Sequence, residues 1–523
     1  MLFSISQLKG VFRQFLVICG VILLSRFTRN WGMILLAAYG IYCSLTRKDG
    51  KALIVYLILS LLPMVNPLIM PRYSHFAAIA RLSSFAMTFA LILGGTTRRG
   101  NHAIPLGGLF IYLIVAFISS IQGYFPLISF LKIINFAIFL LGLYIGTRNI
   151  HRSPKDILLL RNTFIAIAVF IIYGSLATLP FPSVAYLTSV RNIIANYGLE
   201  YADDMLVTTS RKLFTGVTAH CQFLGPMAAS LFGWLLCDMW LSEKKFSWLH
   251  IILLVPIPFI SYMTRSRAAL LSLLVATIAA LFLCLKKAKL PRKTKQSFIV
   301  LATCAVVFLF SYAVVSEIRN ETISKWLRKT NDIENDDRSL SDAITGSRQG
   351  LIAKNMIDFK RNVFLGSGFQ VDANTRTMYK IGRASLFSAS IEKGLLPLMI
   401  LGETGILGAL VFLLFLLAFF STCARKKYIA TSALFIVYLS TNMAEATFFS
   451  PAGGGGTLWI YLVAGGFIID MDKYCVHRPT AGNLFEDDFL ELPEEEFDES
   501  PTDEPIYDPP TDSDDSTDFS LNA

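Results

Sequence analysis

The sequence predicts an all-α polytopic membrane protein of about 12–14 transmembrane helices, and three observations carry that prediction. The 523 residues are 54% hydrophobic and only 16% charged, with a mean hydropathy of +0.56, a balance that would leave most of a soluble domain's surface apolar. The apolar residues gather into runs of about 20, the length that crosses a hydrocarbon core of roughly 30 Å. Between those runs, short loops rich and poor in Lys and Arg alternate along the chain, as expected of a bundle threaded by the positive-inside rule.

Fourteen spans follow, near residues 10–25, 31–45, 52–70, 76–95, 104–120, 127–146, 157–179, 220–241, 248–264, 267–285, 297–316, 394–420, 428–445 and 455–471. The first two are short for a bilayer. Lys9 and Arg13 flank the first apolar run, which leads directly into further spans and reads as a start-transfer helix, not as a cleaved signal. Two hydrophilic loops interrupt the series, near 180–219 and 317–393. One set of short loops carries 19 basic residues and the alternate set five. The basic set belongs in the cytoplasm, so both termini are cytoplasmic and both long loops face outward.

The net charge of +10 conceals two unlike parts. Residues 474–523 hold 16 acidic residues and one basic one, Arg478. With Pro steps and few large apolar side chains, this stretch cannot bury enough surface to fold and reads as a disordered cytoplasmic tail, open to a cytoplasmic partner. Residues 1–473 form the membrane domain and keep a balance of +25, which suits contacts with membrane lipids or an anionic lipid-linked substrate. Nucleic acid is not an expected partner, because the basic residues are scattered through short loops. The eight cysteines contain no CxxC and signal neither zinc nor a disulfide framework. Asp512-Ser-Asp514 resembles a metal-ligating pair, but acidic low-complexity sequence produces such pairs by chance. No metal and no cofactor are expected.

Within the second long loop, Ser347 is placed to cap a helix over about 348–360, whose Leu351, Ile352, Met356 and Phe359 fall near one face. Phe364-Leu365-Gly366-Ser367-Gly368-Phe369 then reads as a turn. Such a segment either lies on the membrane surface and roofs a cavity, or packs as an amphipathic helix with no part in chemistry.

The informative residues are cations on the outward side. Arg72 and His75 precede the fourth span and Arg81 falls one or two turns inside it. Arg211 and His220 bracket the head of the eighth span, Arg265 and Arg267 form an Arg-Ser-Arg turn, and Arg348 opens the loop helix. Snorkelling to headgroups explains any one of them. A set that persists against the positive-inside trend asks for a common partner. Guanidinium forks match phosphate oxygens in a bidentate way at any pH, so a lipid pyrophosphate fits.

The ordered motifs also resemble a known family. Arg211…Phe214-Thr-Gly216-Val-Thr-Ala-His220-Cys-Gln222-Phe-Leu-Gly225 is followed by Thr264-Arg-Ser-Arg267, Gly346-Ser-Arg348, Asn362-Val-Phe-Leu-Gly366-Ser-Gly368-Phe and Leu401-Gly-Glu403-Thr-Gly405-Ile-Leu-Gly408. This order is similar to that of the O-antigen ligase and O-antigen polymerase family. The resemblance implies a fold like that of the C-type glycosyltransferases. It also implies transfer or polymerisation of undecaprenyl-pyrophosphate-linked oligosaccharide onto a sugar or lipid-linked acceptor, in O-antigen, exopolysaccharide or capsule synthesis. By that resemblance Arg211, Arg265, Arg267 and Arg348 hold the donor pyrophosphate, with His220 nearby; Arg72 and Arg81, read from their outward position, are additional candidates. One departure stands out: where many ligases carry a His-Asn pair before the Glu-Thr-Gly step, this chain has Gly394-Leu395, preceded by Glu392 and Lys393.

Displacement at an anomeric carbon needs stabilisation of a departing pyrophosphate, which fixed positive charge supplies without a metal, and a base for the acceptor hydroxyl. Glu392 is the first candidate because it heads a span beside the long loop, and His220 is the second. Glu392 can equally pair with Lys393 or cap the following helix. Glu403, two turns into the twelfth span, reads as a buried residue holding neighbouring helices. Pro451-Ala-Gly-Gly-Gly-Gly456 is an outer turn without the Lys of a nucleotide loop. A transporter or flippase of lipid-linked sugars is the alternative from another class, although no internal repeat supports it. A scaffold acting through the acidic tail leaves the outer Arg set unexplained.

Overall fold

A computed structural model describes residues 5–28, 31–70, 76–95, 102–148, 150, 153–186, 213–241, 248–287, 340–371, 394–443 and 447–472. The expected span at 297–316 and the acidic tail lie outside the described residues, as do the larger parts of both long loops. Thirteen of the expected spans correspond to helices. They are α1 (Ile5–Phe27), α2 (Trp31–Leu45), α3 (Asp49–Leu61), α4 (Phe76–Gly95), α5 (Gly107–Ile121), α6 (Pro126–Thr147) and α7 (Pro154–Ala177). After the first long loop come α8 (Cys221–Leu241), α9 (Trp248–Met263, bent at Pro256) and α10 (Arg267–Lys287). The loop helix α11 (Leu340–Arg361) precedes α12 (Leu396–Lys426), α13 (Ile429–Thr441) and α14 (Gly453–Met471). Among the described residues there is no β-strand, only an isolated bridge between Val65 and Thr218.

Local chemistry sets several starts. Pro126 and Pro154 open α6 and α7 where a missing N–H costs nothing. Ser153 caps α7 by accepting from the Asp156 N–H at 3.2 Å. Among the described residues, six helices are long and apolar enough to cross a membrane. Their environments differ. In α12 the side chains of Leu410, Leu413, Leu414 and Leu417 are exposed, the pattern of a lipid-facing helix. By contrast α14 is almost wholly enclosed: Trp459 donates to the Phe448 carbonyl at 2.6 Å and Tyr461 to that of Phe164 at 2.7 Å. Rings of Phe412, Phe435, Tyr438, Phe448 and Phe449 pack around this helix and its neighbours.

Contacts sort the helix ends into two faces. On one, Asp470 at the end of α14 accepts from the Ala430 and Thr431 N–H groups at the start of α13. On that face too, His102 meets Tyr428 at 2.9 Å, and Asp238 binds Arg161 and His250 at 2.9 and 2.8 Å. On the other face, Arg26 donates to the Ile69 carbonyl, Tyr124 N–H to Ser367, and Leu396 N–H to Asn442. In sequence, the helix ends of the first face adjoin the loops rich in Lys and Arg, and those of the second the loops poor in them.

Two motifs that are separate in sequence form one unit on the second face. Gly405 interrupts α12 with φ 62° and ψ −163°, a conformation that glycine alone adopts readily. A helix broken at membrane depth must satisfy its freed backbone groups elsewhere. Here Ser367 and Gly368 donate to the Gly402 and Glu403 carbonyls at 2.9 and 3.0 Å, while Ile406 and Leu407 donate to Val363 and Phe364 at 2.9 and 3.2 Å. Ser119 of α5 adds bonds to the Glu403 and Leu365 carbonyls. Contact is close enough that a Cβ on Gly405 would lie 2.3 Å from the Phe364 oxygen, and one on Gly366 2.4 Å from the Glu403 carbonyl carbon.

The loop helix differs from its sequence reading. It begins at Leu340, so Ser347 and Arg348 lie in its interior and Ser347 is not the N-cap. Its buried face is also polar: Asn355 and Asp358 are buried, whereas Met356 is exposed. The reason is that α11 packs on α12 through the bare Gly402, against which Asn355 lies, and Asp358 accepts from Tyr124 at 3.1 Å. Leu351, Ile352 and Phe359 are half-buried, so the apolar spacing holds in part, while the deepest contacts of the helix are to backbone and hydroxyl groups.

Candidate active site

The segment 213–220 sets up the head of α8. Asn66, fully buried after α3, donates from its backbone to Val217 and from its side chain to Val184 and Gly216. The Ala219 N–H donates to Met64 at 2.8 Å. Gly216 has φ 54°, and a Cβ there would meet the Ser175 hydroxyl at 2.3 Å. The Phe-Thr-Gly-Val-Thr-Ala-His string is thus a strap fixed around a turn at Gly216-Val217 that delivers His220 to the start of α8.

His220 stands at the N-cap of α8, and its Nδ1 accepts the Gln222 N–H at 3.0 Å. A ring nitrogen that accepts carries no proton, so the neutral imidazole holds its proton on Nε2. The exposed side chain borders a cavity of about 250 Å³ that also takes in Arg81, Gln222, Phe223 and Pro226. The remaining wall comes from Pro63 and Met64 after α3 and from Thr441, Thr447, Ser450 and Gly453–Gly455 around α13 and α14.

Arg265 and Arg267 are not part of the lining of this cavity. Arg265 adopts φ 49° in the turn between α9 and α10. Thr264 accepts from the Ser266 N–H and Ser266 from the Ala269 N–H, fixing the turn. It packs on Gly225 of α8, where a Cβ would lie 2.8 Å from the Ser266 Cβ. Gly225 is five residues beyond His220, roughly 7.5 Å along a helix axis. Arg265 and Arg267 are both half-buried.

Of the other candidates, Arg348 is placed on α11 by its backbone, and nothing is described of its side chain. Arg72, His75, Arg211 and Glu392 lie outside the described residues. The structure therefore joins Arg81 and His220 in one cavity and sets the Arg265–Arg267 turn against the same helix. Glu403 is fully buried, and its backbone carbonyl joins α12 to Gly368 and Ser119.

Sequence reasoning missed the wall formed by Thr441, Thr447, Ser450 and Gly453–Gly455. Asn442 orders it by donating to the Tyr438 carbonyl at 2.8 Å and accepting from the Thr447 N–H at 2.8 Å. Buried Gln370 donates to the Phe449 carbonyl at 2.7 Å, while buried Lys132 donates to the Gln370 carbonyl at 3.2 Å. The α12 junction thus connects through 366–370 to the cavity wall. The glycine run at 453–456 was the available signal: bare backbone marks close approach as well as a turn.

The family model described as O-antigen ligase matches residues 251–413. The match contains the Thr264–Arg267, Gly346–Arg348, Asn362–Phe369 and Leu401–Gly408 motifs and bears out the resemblance drawn from them. The 213–225 strap and the wall formed by Thr441, Thr447, Ser450 and Gly453–Gly455 lie outside it. No curated protein sequence matches the chain.

Proposed function

We propose that this chain, an O-antigen ligase family protein by its 251–413 segment, transfers or polymerises undecaprenyl-pyrophosphate-linked glycan at the outer face of the bacterial inner membrane. The observation that carries the reading is the cavity shared by Arg81 and His220, with the Arg265-Ser266-Arg267 turn packed one to two turns along α8. In the proposed reaction an acceptor hydroxyl oxygen bonds to the anomeric carbon of the donor sugar. The carbon–oxygen bond to pyrophosphate breaks, and the carrier leaves as an anion. The hydroxyl proton passes to a base, for which Glu392 is the candidate. Arg211, Arg265, Arg267 and Arg348, extended by Arg72 and Arg81, stabilise the growing charge on the leaving group, and no metal is required. His220, with its proton on Nε2, serves as a donor to that leaving group.

Lysine substitution tests the clamp. An ammonium supplies charge but not a planar fork, so Arg267→Lys and Arg211→Lys should each cost about 2 kcal/mol or more, roughly thirtyfold in rate. Because charge grows toward the transition state, the loss should fall on turnover more than on donor binding. Arg26, which donates to a neutral carbonyl of Ile69, should tolerate lysine. Single-turnover transfer by detergent-purified variants provides the measurement. Near-normal rates for both lysine variants would dismiss the clamp.

A further inference from the structure

We propose that the cavity wall formed by Thr447, Ser450 and Gly453–Gly455 is a subsite for one neutral sugar ring, the first sugar of the donor, bonded to the pyrophosphate. The proposal rests on the pyrophosphate reading above and extends it to the part of the substrate that no charge recognises.

Size sets the first limit. A cavity of about 250 Å³ is smaller than the roughly 300–1,000 Å³ typical of sites for drug-sized ligands. It has room for a single sugar ring. The polar groups then give direction. Thr447, half-buried in the lining, donates its hydroxyl to Asn442 Oδ1 at 3.4 Å, whereas Thr441 and Ser450 are buried. The Thr447 hydroxyl has one proton, so it presents only lone pairs to a ligand. Lone pairs receive a sugar hydroxyl and repel a phosphate oxygen. The donors of the same cavity, Arg81 and Nε2 of His220, come from α4 and the head of α8. A sugar phosphate therefore fits in one orientation, anion toward Arg81 and His220, ring toward Thr447 and Gly454.

Gly454 supplies the space. A Cβ there would stand 3.0 Å from Phe223 Cδ2 and 3.5 Å from Met64 Sδ, both lining side chains. A larger residue would grow into the room beside the Phe223 ring, where the C–H face of a sugar finds an apolar surface. Thr447, half-buried at the cavity edge, is placed to address ring substituents.

The test uses the full-length chain in lipid nanodiscs and two probes: undecaprenyl pyrophosphate without sugar, and lipid-linked oligosaccharide extracted from the source cells. Gly454→Val should bind the bare carrier as wild type does, yet transfer from the sugar-bearing donor at least tenfold more slowly. Thr447→Val, close to isosteric, should raise the donor KM by about tenfold and leave the acceptor KM unchanged. Wild-type transfer by Gly454→Val would overturn the subsite, as would an equal loss of both probes in a variant of unchanged Tm. A rise in acceptor KM alone would overturn the donor assignment. If the valine variant does not fold, Thr447→Val and Gly454→Ala decide by the same readouts. Failure of the wild type to bind the bare carrier would count against the pyrophosphate reading itself, separately from the sugar subsite.

Discussion

At the scale of single residues, His220 shows how one hydrogen bond selects among chemical roles. Its residue type suits a general base as well as a donor, and the sequence leaves both open. The bond from the Gln222 N–H to Nδ1 places the neutral proton on Nε2, and protonation of Nδ1 would break the cap. Two substitutions separate the functions of the two nitrogens. Glutamine carries an amide N–H near the position of Nε2, so His220→Gln should retain most of the turnover. Asparagine keeps the capping acceptor but is too short to reach the ligand, so His220→Asn should lose about a hundredfold in kcat, the usual cost of removing an oxyanion donor. The acid side of the pH–rate profile should be unchanged in His220→Gln. A lost acid limb, or equal inactivity of both variants at wild-type Tm, would return His220 to the role of base.

At the scale of elements, the break in α12 explains why two motifs far apart in sequence are both rich in glycine. Gly405 and Gly366 each bring backbone against backbone, and each has positive φ. The motif order was legible in the sequence, and so were thirteen helix positions, because apolar runs of membrane length are a strong signal. Their physical partnership was not legible. Backbone-to-backbone hydrogen bonds leave no side-chain pattern, and glycine reports permission for a close approach without naming what approaches. The same limit hid the polar face of α11, where Asn355 and Asp358 are buried and Met356 is exposed. Gly405→Ala should therefore destabilise by about 3 kcal/mol or more, combining strain at positive φ with a backbone clash. Gly20→Ala is the control: it lies within α1 with nothing within 4 Å of its added Cβ, and should be neutral or stabilising by up to about 1 kcal/mol. Thermal unfolding in detergent compares the two. Equal Tm values would mean that the 362–371 loop does not depend on the break.

At the scale of the whole molecule, two independent properties divide the helix ends in the same way. Loop charge separates a set with 19 basic residues from a set with five. Contacts separate the ends joined through Asp470–Thr431 and Asp238–His250 from those joined through Asn66–Gly216, Tyr124–Ser367 and Leu396–Asn442. The cavity with Arg81 and His220 belongs to the face poor in basic loops. If charge orients the bundle, that face is outside, where a lipid-linked glycan awaits transfer, and the exposed Ile357 and Phe364 near α11 meet the outer membrane boundary. A reporter fused after residue 340 should then be active only as a periplasmic marker, and one fused after residue 480 only as a cytoplasmic marker. Since the chemistry is assigned to the outer face, deletion of 480–523 should leave transfer in vitro within about twofold of wild type, as expected for a segment that supplies no transition-state contact. The two experiments fail in different ways. Reversed reporters would put the Arg81–His220 cavity in the cytoplasm and remove the argument for an outward-facing donor. Correct reporters with a well-folded but inactive truncation would keep the cavity outside and make the acidic tail a participant in turnover.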